Sequence, residues 1–401
     1  MLGGVSFCLI YALYYKGGDT VNYYQGVHAM FEVFKNNPFK YFELFFHEND
    51  AFSRNAFYEV KSYVPNYMFK DPRTYTVIKI SSLFSIPALG GFLPTTILLA
   101  TFIYRWVWKL YSFMIERYPK KEIAVNIAIL YLPSTIFWGS GIMKDTFAFG
   151  ATCYAVFGLN QFFIKKKRST AIVIQLILAF YLIITVKAYI MFALLPGLLI
   201  FANFEKIKEI KSTFVKIIVI PLSIGLIFLI ANTLFFDFDD LFGKYSADKL
   251  LEEAAVQNAD LQRSVYGSNS FNIGEFEPTL SGVLKKFFPA VNAAIFRPYI
   301  WETGSPTMLI SGIENSIISI LSIIMVLLKP LKILKTIKSD PFLIFCLLFT
   351  LILGFGVGLS TSNFGALVRY KIPFLPFYLF LILFFVKFKD RTKKVDLEEA
   401  T

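Results

Sequence analysis

A lysine and an aspartate, Lys144 and Asp145, stand side by side in the otherwise apolar segment "FWGSGIMKDTFAFG". An ionisable side chain near bilayer depth costs roughly 2.5–3.5 kcal/mol on insertion scales, so it usually faces a bundle interior or a cavity. One interpretation is a polar cavity wall, in which Lys144 meets an anionic ligand and Asp145 orients it. The alternative is a neutral pair, or a helix N-terminus that Asp145 caps or complements in charge.

A second candidate acid, Asp19, follows two glycines in "YYKGGDTVNYY". A carboxylate there can act as a general base on an acceptor hydroxyl, or ligate a divalent cation together with another oxygen donor. The other interpretation is a cap for a helix in "TVNYYQGVHAMFEVF". Asp237, Asp239 and Asp240 resemble a cation site but lack a complete ligand pattern, so no metal site is predicted and a divalent cation is the one cofactor left open.

The segment "STSNFGALVRYKIPFLPF" (360–377) opens the last apolar run with Asn363, Arg369 and Lys371. A guanidinium can bind two oxygens at once, so Arg369 is a candidate clamp for a phosphate or pyrophosphate. A structural ion pair of Arg369 with Asp145 or Asp19 is the alternative.

The segment "EPTLSGVLKKFFPAVNAAIFRPYIWE" (277–302) is amphipathic and interrupted by prolines, which suits a helix lying at the membrane interface. Arg297 is placed to meet phosphate groups at head-group level. Arg297 and Glu302 enclose "PYIW", where Trp301 contributes to an aromatic surface that fits a sugar ring. An ordinary interfacial anchor is the alternative.

The composition of the chain indicates which kind of helices must position these residues. The chain has 401 residues, of which 56% are hydrophobic, whereas soluble domains have about 45–50% apolar residues. We therefore predict an all-α, polytopic transmembrane bundle of about ten or eleven spans that forms a single membrane domain over residues 1–401. The apolar runs are 2–15, 92–113, 123–139, 146–163, 170–186, 189–203, 214–234, 309–328, 341–360 and 370–387, with 74–90 as an eleventh span, a re-entrant helix or an interfacial one.

Basic runs predict the orientation of the bundle. Short clusters of lysine and arginine alternate with loops that lack them, at 116–121, 165–168, 205–211, 329–338 and 387–394. The positive-inside rule assigns all five, and the C-terminus, to the cytoplasm. Two long loops, 16–91 and 235–308, then lie on the outer face with interfacial helices, and so do Lys144, Asp145, Lys187 and Arg369. The net charge of +12 thus reflects orientation, and no nucleic-acid partner is expected.

Four segments, "GGDTVNYY", "PSTIFWGSGIMKDTFAFG", "FRPYIWE…LISGIEN" and "NFGALVRYKIPFLPF", together resemble bacterial polytopic proteins of surface polysaccharide synthesis. More loosely, they resemble membrane glycosyltransferases of the GT-C type and O-antigen or repeat-unit polymerases. The resemblance implies a polyprenyl-phosphate- or polyprenyl-pyrophosphate-linked sugar donor used at the outer face of the bacterial inner membrane, with a glycan or lipid-linked acceptor. It also implies Asp19 as the base and Arg369 as the phosphate contact. GT-C enzymes often carry a paired acidic motif in this first loop, whereas "GGDTVNYY" has one carboxylate.

The leading hypothesis is a membrane glycosyltransferase or glycan polymerase. Asp19 is the expected base, with Asp145 as its rival. Four basic residues, Lys144, Arg369, Arg297 and Lys187, are expected around the donor phosphate, and Trp301, Glu302, Asn363 and Lys371 around the rest of the substrate. The alternative is a transporter or flippase for an anionic or lipid-linked glycan, which would use the same basic cavity without chemistry. A non-catalytic envelope scaffold is the third hypothesis.

Overall fold

A computed structural model describes residues 1–209, 256, 270–274, 276, 277, 279–328 and 330–388. These residues form helices and no β-strand, apart from an isolated bridge that pairs Ser270 with Asn363. The all-α class is confirmed for this part of the chain. The predicted span 214–234, the acidic group at 237–240 and much of the loop 235–308 lie outside the described residues.

The helices of the N-terminal half are α1 (Leu2–Leu9, continued by a π-helix at Ile10–Tyr15), α2 (Asp19–Asn36), α3 (Pro38–Glu43), α4 (Ala51–Glu59), α5 (Asn66–Lys70), α6 (Pro72–Ser85), α7 (Phe92–Arg117), α8 (Glu122–Val125), α9 (Pro133–Trp138), α10 (Lys144–Leu159), α11 (Thr170–Lys187) and α12 (Tyr189–Glu209). The described helices that follow are α13 (Leu280–Lys285), α14 (Phe287–Phe296), α15 (Pro306–Leu328), α16 (Pro330–Ser339), α17 (Pro341–Ser360), α18 (Phe364–Tyr370) and α19 (Leu375–Leu383).

Four of the described helices are long and apolar enough to cross a membrane: α10 with its extension to Ile164, α11, α15 and α17. A fifth crossing results if α18 and α19, which meet at an angle of 69°, form one broken span. Several such helices are what a multi-pass membrane protein requires. A total of ten or eleven crossings stays a prediction.

Two apolar runs do not form continuous spanning helices: 123–139, which was predicted as a span, and 74–90, which the sequence left open. The run 123–139 is divided, because the chain leaves the helical conformation at Tyr131 and Leu132 and begins α9 at Pro133. Proline lacks an N–H and fits the first position of a helix better than its interior. The run 74–90 forms most of α6, which packs against α2 and α7, and then ends in a turn at Gly90 with φ 76°. A Cβ at Gly90 would lie 2.5 Å from the Phe31 ring, so the turn requires glycine.

Hydrogen bonds show which helix ends lie together. Arg117, at the end of α7, donates from Nη2 to Oδ1 of Asp340, which caps the start of α17, at 3.0 Å. Lys165, just beyond α10, pairs with Glu116 of α7. The basic runs 116–121 and 165–168 therefore share one end of the bundle with the start of α17. The beginning of α10 and the end of α11 lie at the other end, as the orientation argument predicts; which end faces the cytoplasm stays a prediction.

Small residues allow α17 to approach α14 closely. Ala290, Ala293 and Ala294 on α14 are buried against α17. At Gly358 of α17, an added Cβ would lie 1.9 Å from the carbonyl oxygen of Ala290. This contact fixes α14, and with it the segment that begins at Arg297, against the helix that leads into α18.

Candidate functional site

Two carboxylates and two cationic side chains from separate parts of the chain form one charge network, made of Asp19, Asp145, Arg369 and Lys187. Arg369 donates from Nη1 to Oδ2 of Asp19 at 2.8 Å and from Nε to Oδ2 of Asp145 at 3.2 Å. Lys187 donates from Nζ to Oδ1 of Asp145. The structure thus brings together four of the residues that the sequence singled out, and it contains both ion pairs that the alternative interpretation of Arg369 named.

Asp145 is the buried centre of the network. It lies in the first turn of α10, where a negative charge is favourable, and its side chain is 1% exposed. Lys187, in the last turn of α11, is 7% exposed, and its Nζ lies 4.0 Å from the centroid of the Tyr370 ring. A buried carboxylate is tolerated when it is paired and hydrogen-bonded, and here each of its oxygens accepts from a different cation.

Asp19 is the solvent-accessible end of the network. It is the first residue of α2, and its side chain is 48% exposed. The preceding turn has positive φ at Lys16 (50°), Gly17 (158°) and Gly18 (105°). Glycine is required at position 18, because this φ is strained for other residues and a Cβ would meet the Tyr11 ring at 3.1 Å. The double glycine therefore turns the chain sharply enough to present Asp19 to Arg369.

Arg369 lies between the two carboxylates at the end of α18. Its side chain is 20% exposed, and its guanidinium carbon is 5.9 Å from the centroid of the Trp138 ring. Within the described residues, its Nη2 donates no hydrogen bond to the protein. Arg369 consequently has donors left for an external anion.

Lys144 belongs to a different ion pair. Its Nζ donates to Oδ2 of Asp71 at 2.7 Å, and Asp71 also accepts from Oγ1 of Thr74 at 2.5 Å and caps α6 through the N–H of Arg73. Partial burial opposes ionisation of Asp71, but the hydrogen bonds from Lys144 and Thr74 outweigh it and hold the pKa of this carboxyl below its usual range. Sequence reasoning missed Asp71; the Asp-Pro pair that begins α6 was the available signal.

Arg297 and Glu302 form a second cluster. Nε of Arg297 donates to both carboxylate oxygens of Glu302, at 3.0 and 3.1 Å, and Glu302 also accepts from the N–H of Tyr299 at 2.9 Å. The rings of Tyr299 and Trp301 stack with centroids 4.9 Å apart, and Trp301 is 78% exposed. No hydrogen bond or ion pair between described residues joins this cluster directly to the charge network.

Lys371 and Asn363 are engaged by the protein itself. Lys371 is 0% exposed and donates to Oδ1 of Asn315 at 2.5 Å and to the carbonyl of Arg297 at 3.2 Å. Oδ1 of Asn363 accepts from the N–H of Ala366 at 3.2 Å and so caps α18. Lys371 therefore fixes the end of α18 against α15 and the segment at Arg297, and Asn363 caps the start of the same helix.

Helix α15 carries a buried acid that sequence reasoning did not select. Glu314 is 8% exposed and accepts from the N–H of Ser134 at 2.8 Å and from Oγ of Ser134 at 2.6 Å. The next residue, Asn315, is the partner of Lys371. An ionisable residue inside an apolar span was the signal that marks such a position.

An apolar cleft of about 430 Å³ lies beside the network, between α1, α9 and α15. Its lining includes Leu2, Ile10, Phe137, Trp138, Thr307 and Ile310. Leu2 is 84% and Ile310 is 56% exposed, so the cleft opens on an apolar outer surface. Trp138 contributes to the cleft and also lies beside Arg369, and thus links the two.

Within the described ranges, no three histidine, cysteine, aspartate or glutamate side chains are grouped so that they could hold a metal ion. Comparisons of the chain with protein-family models, curated proteins and solved structures found no match.

Proposed function

We propose that the protein is a membrane glycosyltransferase or glycan polymerase that uses a polyprenyl-phosphate- or polyprenyl-pyrophosphate-linked sugar donor. The observation that carries this proposal is the position of Arg369. Its guanidinium bonds to an exposed carboxylate, Asp19, and to a buried one, Asp145. It also lies beside Trp138, which lines the apolar cleft. Transfer of a sugar from a lipid-linked donor requires a general base, a cation that binds the donor phosphate, and an apolar path for the lipid chain.

In the proposed reaction, Asp19 accepts the proton of the acceptor hydroxyl while that oxygen attacks the anomeric carbon of the donor sugar. The bond from the anomeric carbon to the phosphate oxygen breaks, and its electron pair leaves with the lipid-linked phosphate or pyrophosphate. Arg369, together with Lys187, stabilises the negative charge that develops on this leaving group. Solvent access favours Asp19 as the base over Asp145.

Asp145 then acts as a positioning residue. Its two oxygens are occupied by Lys187 and Arg369, and its burial prevents an acceptor from reaching it. By holding both cations, it fixes the direction from which a phosphate can approach. Asp145 stays the rival base in the experiment below.

The apolar cleft supports a donor that enters from the bilayer. Exposed aliphatic side chains along its mouth, Leu2 and Ile310, fit an isoprenoid chain, and burying such a chain contributes about 0.8 kcal/mol per CH₂ group. A charged head group carried on this chain would reach Trp138, which lines the cleft and lies 5.9 Å from the Arg369 guanidinium.

Peripheral residues complete the proposed site. Lys144 lies next to Asp145 in the chain, and its ion pair with Asp71 holds its ammonium near the network. The stacked Tyr299 and Trp301 rings, supported by the pair of Arg297 and Glu302, offer an exposed face for a sugar. On the positive-inside rule, this end of the bundle faces outward from the bacterial inner membrane.

The test is glycan transfer in membranes that contain the native lipid-linked sugar pool, with wild type, Asp19→Asn and Asp145→Asn at matched expression. Glu59→Gln is the control, because it removes a carboxylate charge in the same loop that pairs with Lys40. Product from wild type and Glu59→Gln, lost in Asp19→Asn, is the expected result. If wild type forms no product and lipid-linked glycan instead moves between leaflets, the protein is a transporter and the proposal is wrong.

A further inference from the structure

We propose that the Asp19 carboxylate occupies the position on Arg369 at which the donor phosphate binds. Arrival of the donor then displaces this carboxylate and frees it to act as the base. The inference rests on the proposed function, because it concerns the same site. Binding of the donor and activation of the base would then be one event.

The two carboxylates on Arg369 are held very differently. Asp145 is 1% exposed and has its other oxygen on Lys187, so it is fixed. Asp19 is 48% exposed and contacts Arg369 through one oxygen. Exposed ion pairs are weak because water competes for both partners. An incoming anion therefore competes with Asp19 and leaves Asp145 in place.

Phosphate is the ligand class that suits this exchange. A guanidinium offers the same pair of parallel donors to a carboxylate and to a phosphate. Nη1 of Arg369 is occupied by Asp19, while Nη2 donates no hydrogen bond within the described part of the protein. A phosphate that takes both nitrogens gains a bidentate contact, whereas Asp19 has a contact through one oxygen.

Charge balance makes the two anions mutually exclusive. Asp19 and Asp145 cancel the charges of Arg369 and Lys187, so the network is neutral as it stands. A phosphate added beside Asp19 would place a third anion around one guanidinium. Its arrival therefore favours the departure of the carboxylate that is able to move.

The turn before Asp19 permits that movement. Gly17 has no atom within 4 Å of the position that a Cβ would occupy, and Gly17 and Gly18 both have positive φ. Two consecutive glycines give the backbone conformations that other residues resist. After its release, Asp19 would still lie in the first turn of α2, where a carboxylate is stabilised by the helix.

The test measures binding of farnesyl diphosphate, a short isoprenyl diphosphate, to the purified full chain by isothermal titration calorimetry. Because Asp19→Asn removes the competing charge, we expect it to bind the probe about twofold to fivefold more tightly than wild type, the range for loss of an exposed ion pair. Glu59→Gln should bind like wild type. In an Arg369→Lys background, Asp19→Asn should change the affinity less, since the two-oxygen exchange is lost.

The outcomes separate the two proposals. If wild type binds the probe and Asp19→Asn binds it equally or more weakly, the exchange is wrong and the proposed function stands. If Glu59→Gln strengthens binding as much as Asp19→Asn does, the effect is one of overall charge and the exchange is again wrong. If neither wild type nor Asp19→Asn binds the probe, both the exchange and a phosphate-linked donor at this site are overturned.

Discussion

Neutralising Asp145 should destabilise the protein by several kcal/mol. In Asp145→Asn the ammonium of Lys187, 7% exposed, loses its carboxylate partner, and the ring of Tyr370 gives only partial compensation. Removing one partner of a buried pair costs about 3–5 kcal/mol, because the remaining charge stays out of water. The loss is smaller for Arg369, because it keeps its ion pair with Asp19.

A second substitution should restore much of this loss. Lys187→Met removes the orphaned charge and keeps an unbranched apolar chain of similar length. Replacing a whole buried ion pair by apolar groups is often neutral, so the double variant should be clearly more stable than Asp145→Asn alone. Asp71→Asn is the matched control, because its pair with Lys144 is 39% and 23% exposed and should contribute about 0.2–1 kcal/mol.

The measurement is the free energy of unfolding in mixed micelles with increasing SDS, followed by circular dichroism of the helices. A loss for Asp145→Asn no larger than that for Asp71→Asn would refute the buried, charged pair. So would a double variant that loses the sum of the two single losses, because additivity means that Asp145 and Lys187 do not interact.

Three further predictions follow from the packing, the caps and the basic runs. Gly358→Ala should destabilise the protein by about 1–3 kcal/mol or more, because the added Cβ would meet the carbonyl of Ala290. Gly356→Ala in the same helix should be tolerated, because no atom lies within 4 Å of its Cβ position. Equal thermal stability of the two variants would contradict the α14–α17 contact. The N–H of Ser53 and the side chain of His47 lower the pKa of Asp50 to about 2, so the cap that Asp50 forms on α4 should stabilise the protein fully above the unfolded pKa of about 3.9 and lose its effect as the pH falls toward 2. Asp50→Ala should therefore lower the free energy of unfolding by about 1 kcal/mol at neutral pH and by little near pH 2. A loss that stays the same in acid would be inconsistent with an ionised cap. A cysteine introduced as Lys335→Cys should react with a membrane-impermeant maleimide only in inside-out vesicles, because the positive-inside rule assigns the run 329–338 to the cytoplasm. The native cysteines are buried in the described structure and should give little background labelling. Labelling in intact cells would contradict the predicted orientation.

Sequence patterns identified the charged residues better than their partners. Asp145, Lys187 and Arg369 stand out because ionisable residues in apolar surroundings are costly, and alternating basic runs predict that they share one end of the bundle. The sequence offered the pairs of Arg369 with Asp19 and with Asp145 only as an alternative to phosphate binding, and the first of them joins residues 350 positions apart. Such a contact depends on how the helices pack, which the local sequence does not encode.

Other elements show the same division. The run 123–139 was wrongly predicted as one span, although the chemistry of proline explains the break at Pro133. The partner of Lys144, by contrast, is supplied by Asp71, and only the folding of the first loop brings α6 to the start of α10. Lys371 and Asn363 have residue types suited to substrate contacts, yet their polar atoms bind Asn315 and the backbone. Residue type alone does not distinguish a binding side chain from one that holds a helix.

The most direct test of the proposed chemistry is a turnover assay with purified protein, labelled lipid-linked donor and acceptor, in which glycoside formed and lipid phosphate or pyrophosphate released are both counted. Wild type should form one glycosidic bond for each lipid phosphate or pyrophosphate released. Asp19→Asn should lose turnover, seen in kcat, while it still binds donor at least as tightly as wild type. Retention of normal turnover by Asp19→Asn would contradict the assignment of Asp19 as the base, and the absence of any glycoside from wild type would contradict the transferase itself.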